Sequence, residues 1–156
     1  MGLLEIGKYQ DIDMEEEIKS LMKSVSIPGV SVTPPANTTS SVTTEKRKIA
    51  GNTVVQISYT VSSDANSTSI TVKINWLDED GSALVNVAIP NYSYSPGTTT
   101  HDTKVFMAPD GAVYVSLTLE ATSGDTAGTA SLKNITVTRP SPLMEDQDGY
   151  LLVKSV

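Results

Sequence analysis

Four stretches of this chain alternate apolar and polar residues with a period of two. They are Val55, Ile57, Tyr59 and Val61; Ile70, Val72, Ile74 and Trp76; Val113, Val115, Leu117 and Leu119; and, with one irregularity, Leu132, Ile135 and Val137. Successive side chains of a strand point to opposite faces, so this pattern fits a sheet buried on one side and fits no amphipathic helix. In the last run the spacing changes from three to two, and a β-bulge is needed if all three residues are to point inward. Turn chemistry separates the runs: "DAN" at 64–66, "DEDG" at 78–81, "SPG" at 95–97, "APDG" at 108–111 and "SGDTAG" at 123–128. Each carries the Gly, Asn, Asp or Pro that reverses a chain cheaply. The count predicts about eight strands between residues 39 and 139 with no helix among them, the pattern of an antiparallel β-sandwich.

Residues 13–25 read differently. Asp13 stands as an N-cap with Glu16 at capping-box spacing, Glu15, Glu16 and Glu17 lie at the positive end, Lys19 and Lys23 toward the negative end, and Pro28-Gly29 stops the run. Met14, Ile18, Leu21, Met22 and Val25 recur at helical spacing, which predicts a short amphipathic helix whose apolar face packs on its own domain or docks on another subunit. Composition then turns to Ser, Thr, Val and Asn, and Pro34-Pro35 makes a stiff break. The expected organisation is an N-terminal arm over 1–36, a sandwich over 37–140 and an extension over 141–156. The extension ends in an apolar run with Leu151, Leu152 and Val153, expected to form one more strand covered by a partner. At 156 residues the chain has room for one such domain and no second.

Charge and composition narrow the function. A net charge of -7 repels a nucleic-acid backbone and an anionic membrane surface, so neither is expected as a partner. There is no cysteine, hence no disulfide framework and no thiolate metal site. No stretch has the length and apolarity of a membrane span or a secretory leader, which leads us to expect a soluble product made in the cytosol. The acidic "DEDG" is not a calcium loop: setting Asp78, Asp80 and Gly81 on the third, fifth and sixth EF-hand positions puts Trp76 and Val87 where the first and last ligands belong. It reads as a hairpin corner with Gly81 at positive φ. Its adjacent carboxylates, solvated at a turn, lack a wall to raise one pKa for acid catalysis. His101 precedes Asp102, but no nucleophile elbow accompanies them, and the glycines fall singly in turns and form no phosphate loop. The chain is therefore expected to be no enzyme and to carry no metal or cofactor.

The succession "YTVSSDANSTSITVKINWLDEDGSAL" followed by "KVFMAPDGAVYVSLTLEATSGDTAGTASLKNITVTRP" resembles the carbohydrate-binding-module-like jelly-roll domains found on glycosidases and in phage structural proteins. The resemblance runs from about residue 50 to about residue 139 and rests on Trp76 to Gly81, Ala108 to Leu119 and Gly128 to Val137. It implies an all-β jelly roll. Where that family carries Phe-Asp, often part of a structural calcium site, this chain has Lys133-Asn134. Sugar recognition in such modules uses exposed aromatic faces, and the candidates here are Tyr92 and Tyr94, which alternate and so share one side of a strand. The other reading of this pair is that it covers the edge of the sandwich.

Two functions follow. In the first, the chain is a virion structural protein, a capsid decoration or appendage assembled in the host cytoplasm, homo-oligomeric with a trimer favoured. Its terminal segments then hold a larger assembly such as a capsid. In the second, it is a carbohydrate-binding module for a polysaccharide or host-surface glycan. The helix and the apolar end favour the first, because a free binding module rarely needs either.

Overall fold

The computed structural model describes residues 22–140. Ten strands, all paired antiparallel, form two five-stranded sheets. They are β1 (Met22–Ile27), β2 (Val30–Val32), β3 (Thr39–Thr43), β4 (Arg47–Lys48), β5 (Val54–Ser63), β6 (Ser67–Leu77), β7 (Asn91–Tyr94), β8 (Thr99–Met107), β9 (Tyr114–Ser123) and β10 (Ala130–Pro140). The first sheet has the order β1-β10-β5-β8 with β2 also on β10; the second has β3-β9-β6-β7 with β4 also on β9. The expected eight strands are β3 to β10. From β7 onward the chain changes sheet at every connection, so nearly all pairing is between strands distant in sequence, as a jelly roll requires.

The alternating runs form the core. Val55, Ile57, Tyr59 and Val61 from β5 meet Ile70, Val72, Ile74 and Trp76 from β6, with Val115, Leu117, Leu119 and Ala121 from β9 beside them. Val113 falls outside β9 and is half-buried, its amide donating to the carbonyl of Leu77. On β10 the register against β5 shifts between Lys133 and Thr136, with Asn134 at φ 52°. This is the bulge that the spacing demanded, and it turns Leu132, Ile135 and Val137 all inward. The outer faces are polar ladders held by paired hydroxyls, Ser58 with Thr103, Thr43 with Thr118 and Thr39 with Thr122 among them.

The N-terminal boundary needs correcting. Met22 and Val25, expected on one face of a helix, lie in β1, where an odd separation of three puts them on opposite faces. Val25 pairs with Val137 and packs on the core, and Met22 pairs with Pro140. The residues Ser24, Val25, Ser26 and Ile27 are weak helix formers with strand alternation, and pairing with β10 prevails over the helical spacing upstream. Pro28-Gly29 does not end a helix. It interrupts one edge strand, β1 continuing as β2, opposite the β10 bulge, and a Cβ on Gly29 would come within 2.8 Å of the Leu132 carbonyl oxygen. Pro34-Pro35 therefore does not detach an arm: residues 22–32 belong to the sandwich. The remainder of the expected helix, with Met14, Ile18 and Leu21, and the extension with Leu151, Leu152 and Val153, lie outside the described residues.

Candidate functional site

The tyrosines singled out in the sequence lie where the two sheets meet at one edge. On β7, Tyr92 pairs with Val72 and Tyr94 with Ile70, so both rings take the inward side of that strand. Across the gap, β8 is the edge of the other sheet. The Tyr94 hydroxyl donates to Asp102 Oδ2 of β8 at 2.7 Å and shares a short hydrogen bond with the hydroxyl of Tyr59 on β5. Because a carboxylate only accepts, Tyr94 gives its proton to Asp102 and receives one from Tyr59. The Tyr59 and Tyr94 rings meet edge to face with centroids 6.1 Å apart. Lys104 completes the group, 3.3 Å from Asp102 Oδ2 and with Nζ 4.2 Å from the centroid of Tyr92.

The electrostatics follow from this burial. Desolvation pushes the Tyr59 hydroxyl up to about 12, against a smaller lowering by the bond to Tyr94. Burial, then the bonds to Tyr59 and Asp102, push Tyr94 up further. At Asp102 burial also acts upward, but the bonds from Tyr94, Lys104 and the Thr103 amide outweigh it and hold the carboxyl below its ordinary value. The result at neutral pH is a fixed anion between a cation and a chain of neutral hydroxyls. It is a clamp between sheets: Tyr94 has its hydroxyl committed and one ring edge against Tyr59, and Tyr92 has Lys104 over its face.

The other residues with chemical potential are also occupied structurally. Asp78 Oδ1 accepts the amides of Asp80 at 2.9 Å and Ser82 at 3.0 Å, and Gly81 has φ 82°. "DEDG" is thus a corner whose first carboxylate ties the turn, a role its sequence did not disclose. His101 Nδ1 lies 2.7 Å from Thr60 Oγ1 on the outer ladder, away from the inward side chain of Asp102. Among the described residues no group of three His, Asp or Glu side chains converges to hold a metal ion, and no helix is long and apolar enough to cross a membrane.

The feature that sequence reasoning missed is an apolar corner. Val54, Val105 and Met107 are 45%, 64% and 63% exposed. Val54 pairs with Met107 and Gln56 with Val105, so all three project from the outer face of the first sheet at one end of β8. Thr138 pairs with Gln56, which sets Pro140, two residues on, level with Val54, and Pro140 pairs with Met22. The flanking segments on both sides of the described chain thus join it along this row. Val85 and Ile89, also exposed, stand on the loop between β6 and β7. Ile89 and Val87 line a small recess with Trp76, whose ring meets Phe106 of β8 edge to face at 5.5 Å. The signal was present as two apolar residues, Val105 and Met107, on the side of β8 where alternation calls for polar ones.

No protein-family model matches this sequence, and no curated protein does. Among solved structures, the chain is similar to the enzymatically active domain of tailspike protein 4 of bacteriophage CBA120. The identity is 13% and the TM-score 0.56, over 77% of this chain and 19% of that one. It is similar to a family 16 carbohydrate-binding module, with 16% identity and a TM-score of 0.51 over 70% of this chain and 74% of the module. It is also similar to the VP2 subviral particle protein of infectious bursal disease virus, with 12% identity and a TM-score of 0.50 over 76% of this chain and 32% of that one. The chain thus spans about a fifth of that tailspike domain's chain and a third of the viral chain. At these identities the likeness is one of fold: this chain has the jelly-roll sandwich shared by carbohydrate-binding modules and by domains of phage and viral proteins.

Proposed function

We propose that this chain is a non-enzymatic structural subunit of a virus particle, a capsid decoration or appendage protein, assembled in the host cytoplasm and carried in the virion. It displays the jelly roll and is held to its neighbours through surfaces near its terminal segments. The fold alone serves a structural subunit and a glycan-binding module equally well. The observation that favours the structural reading is the apolar corner of Val54, Val105 and Met107, which adjoins the row where both flanking segments join the sandwich. Exposed apolar side chains gathered at one place on a sheet mark a protein contact. The tyrosine pair, by contrast, spends its polar and aromatic contacts on joining the two sheets.

Sedimentation of the full chain, together with a binding screen on immobilised polysaccharides, tests this. A closed homo-oligomer, with three copies expected, and no retention on polysaccharide supports the structural subunit. A monomer retained on a polysaccharide and released by the Tyr92→Ala change would transfer the function to glycan binding.

A further inference from the structure

We propose that the free edge of β8, at its Val105–Met107 end, receives the apolar segment Tyr150–Val153 of a neighbouring copy as an added strand. The inference rests on the structural-subunit reading and names the contact that would build the oligomer.

Three observations converge on it. First, β8 is nine residues long and among the described residues pairs with β5 alone, so along its other side they leave the backbone amides and carbonyls of an edge strand open to a further strand. Most edges are blunted by charge or proline, and the first part of β8 is, by His101, Asp102 and Lys104. The last three residues, Val105, Phe106 and Met107, carry no such protection, and two of them expose their side chains. Second, the run Tyr150-Leu151-Leu152-Val153 is apolar at four consecutive positions, followed by Lys154. An added strand with one face on the sandwich seam and the other beside Val105 and Met107 is apolar on both faces, as this run is.

Third, the intervening chain has the reach to pass beyond its own sheet. Nine residues, 141–149, separate β10 from the run. To reach the far side of its own β8 the chain must cross three strand spacings, roughly 14 Å. The spacer, extended, spans about 30 Å, which exceeds that distance and also reaches a neighbouring copy, and the structural-subunit reading assigns the run to the neighbour. A contact between different surfaces of identical copies, an arm on one and an edge on the next, repeats head to tail and closes as a ring where the rotation between copies allows.

The test uses two variants of the full chain: an arm variant, Leu151→Asp with Leu152→Asp, and an edge variant, Val105→Asp with Met107→Asp. Should Met107→Asp unfold the sheet, Val105→Thr with Met107→Thr removes the same apolar contact with a residue that strands favour. Each variant alone is expected to sediment as a monomer. Mixed, they are expected to form a one-to-one complex, because the edge of the arm variant and the arm of the edge variant are both intact. A complex on mixing is not expected from a symmetric patch-to-patch dimer. Oligomers that persist in either variant, or variants that fail to associate when mixed, would overturn the arm exchange while leaving the structural reading in place. A monomeric full chain would overturn both.

Discussion

The two halves of β8 have the same backbone and opposite relations to their surroundings. From Thr99 to Lys104 every functional side chain has a partner: Thr103 with Ser58 and His101 with Thr60 on the outer face, Asp102 and Lys104 with the tyrosines on the inner one. From Val105 to Met107 the inner side is satisfied by Phe106 against Trp76, but the outer side offers apolar surface to nothing in the described chain. Buried polar groups must be paired inside the same molecule because an orphan is expensive. Exposed apolar groups carry a smaller penalty that association removes. One half of the strand therefore has its partners within the described chain, and the other half leaves the apolar surface on which the proposed neighbouring copy would dock.

The comparison can be broken from either side. The largest effect is expected at the inner layer beneath the apolar half: Trp76→Ala removes a buried ring that meets Phe106 edge to face and should destabilise the monomer by about 3–5 kcal/mol, read from denaturant melts. Next is the clamp. Tyr94→Phe leaves Asp102 without its hydroxyl donor and Tyr59 without its acceptor, for an expected loss of about 1–3 kcal/mol. This loss should depend on pH in a defined direction. Tyr59 and Tyr94 are raised above the ordinary 10.0, so the folded protein keeps protons that the unfolded chain releases. Both contributions are complete below about pH 10; that of Tyr59 is lost as pH rises through about 12 and that of Tyr94 persists to higher pH, and Tyr94→Phe should weaken that alkaline dependence. Asp102 is lowered, so its contribution is complete above the ordinary 3.8 and fades as pH falls through its folded value; Asp102→Asn should flatten the acid side.

Smaller effects separate corner from chemistry. Gly81→Val forces a β-branched residue to φ 82° and should cost roughly 1–2 kcal/mol. Asp78→Asn with Glu79→Gln keeps an oxygen to accept the Asp80 and Ser82 amides and should change stability by about half a kcal/mol or less. Val105→Asp should be smallest of all in the stability of the monomer, also within about half a kcal/mol, because the side chain is already in water. A large loss of monomer stability there would show that Val105 belongs to the core and would abolish the contrast between the two halves.

The alternating runs made the sandwich legible: period two, a bulge forced by Leu132, Ile135 and Val137, and turn residues between them each correspond to an observed feature. Met22 and Val25 were misassigned because helical spacing continued from 14 into a segment whose actual partner, β10, is more than a hundred residues away. Local periodicity does not contain such pairing. The same limit hid the clamp. Tyr92 and Tyr94 could be placed on one face of a strand, but whether that face looked toward water or toward Asp102 and Tyr59 depends on how two sheets approach each other. The apolar corner was concealed in a different way, since Val54, Val105 and Met107 each read as ordinary strand residues until the register put Val54 beside Met107 and both on the outside.

The central claim, that the Val105–Met107 end of β8 is closed by a neighbouring chain, is tested most directly by hydrogen exchange over Thr99–Met107 in the full-length protein and in the Leu151→Asp, Leu152→Asp variant. Protection concentrated toward Val105–Met107 in the unmodified chain and lost in the variant, with the rest of the sandwich unchanged, is the result this account predicts. Equal exchange of that segment in both proteins would contradict it.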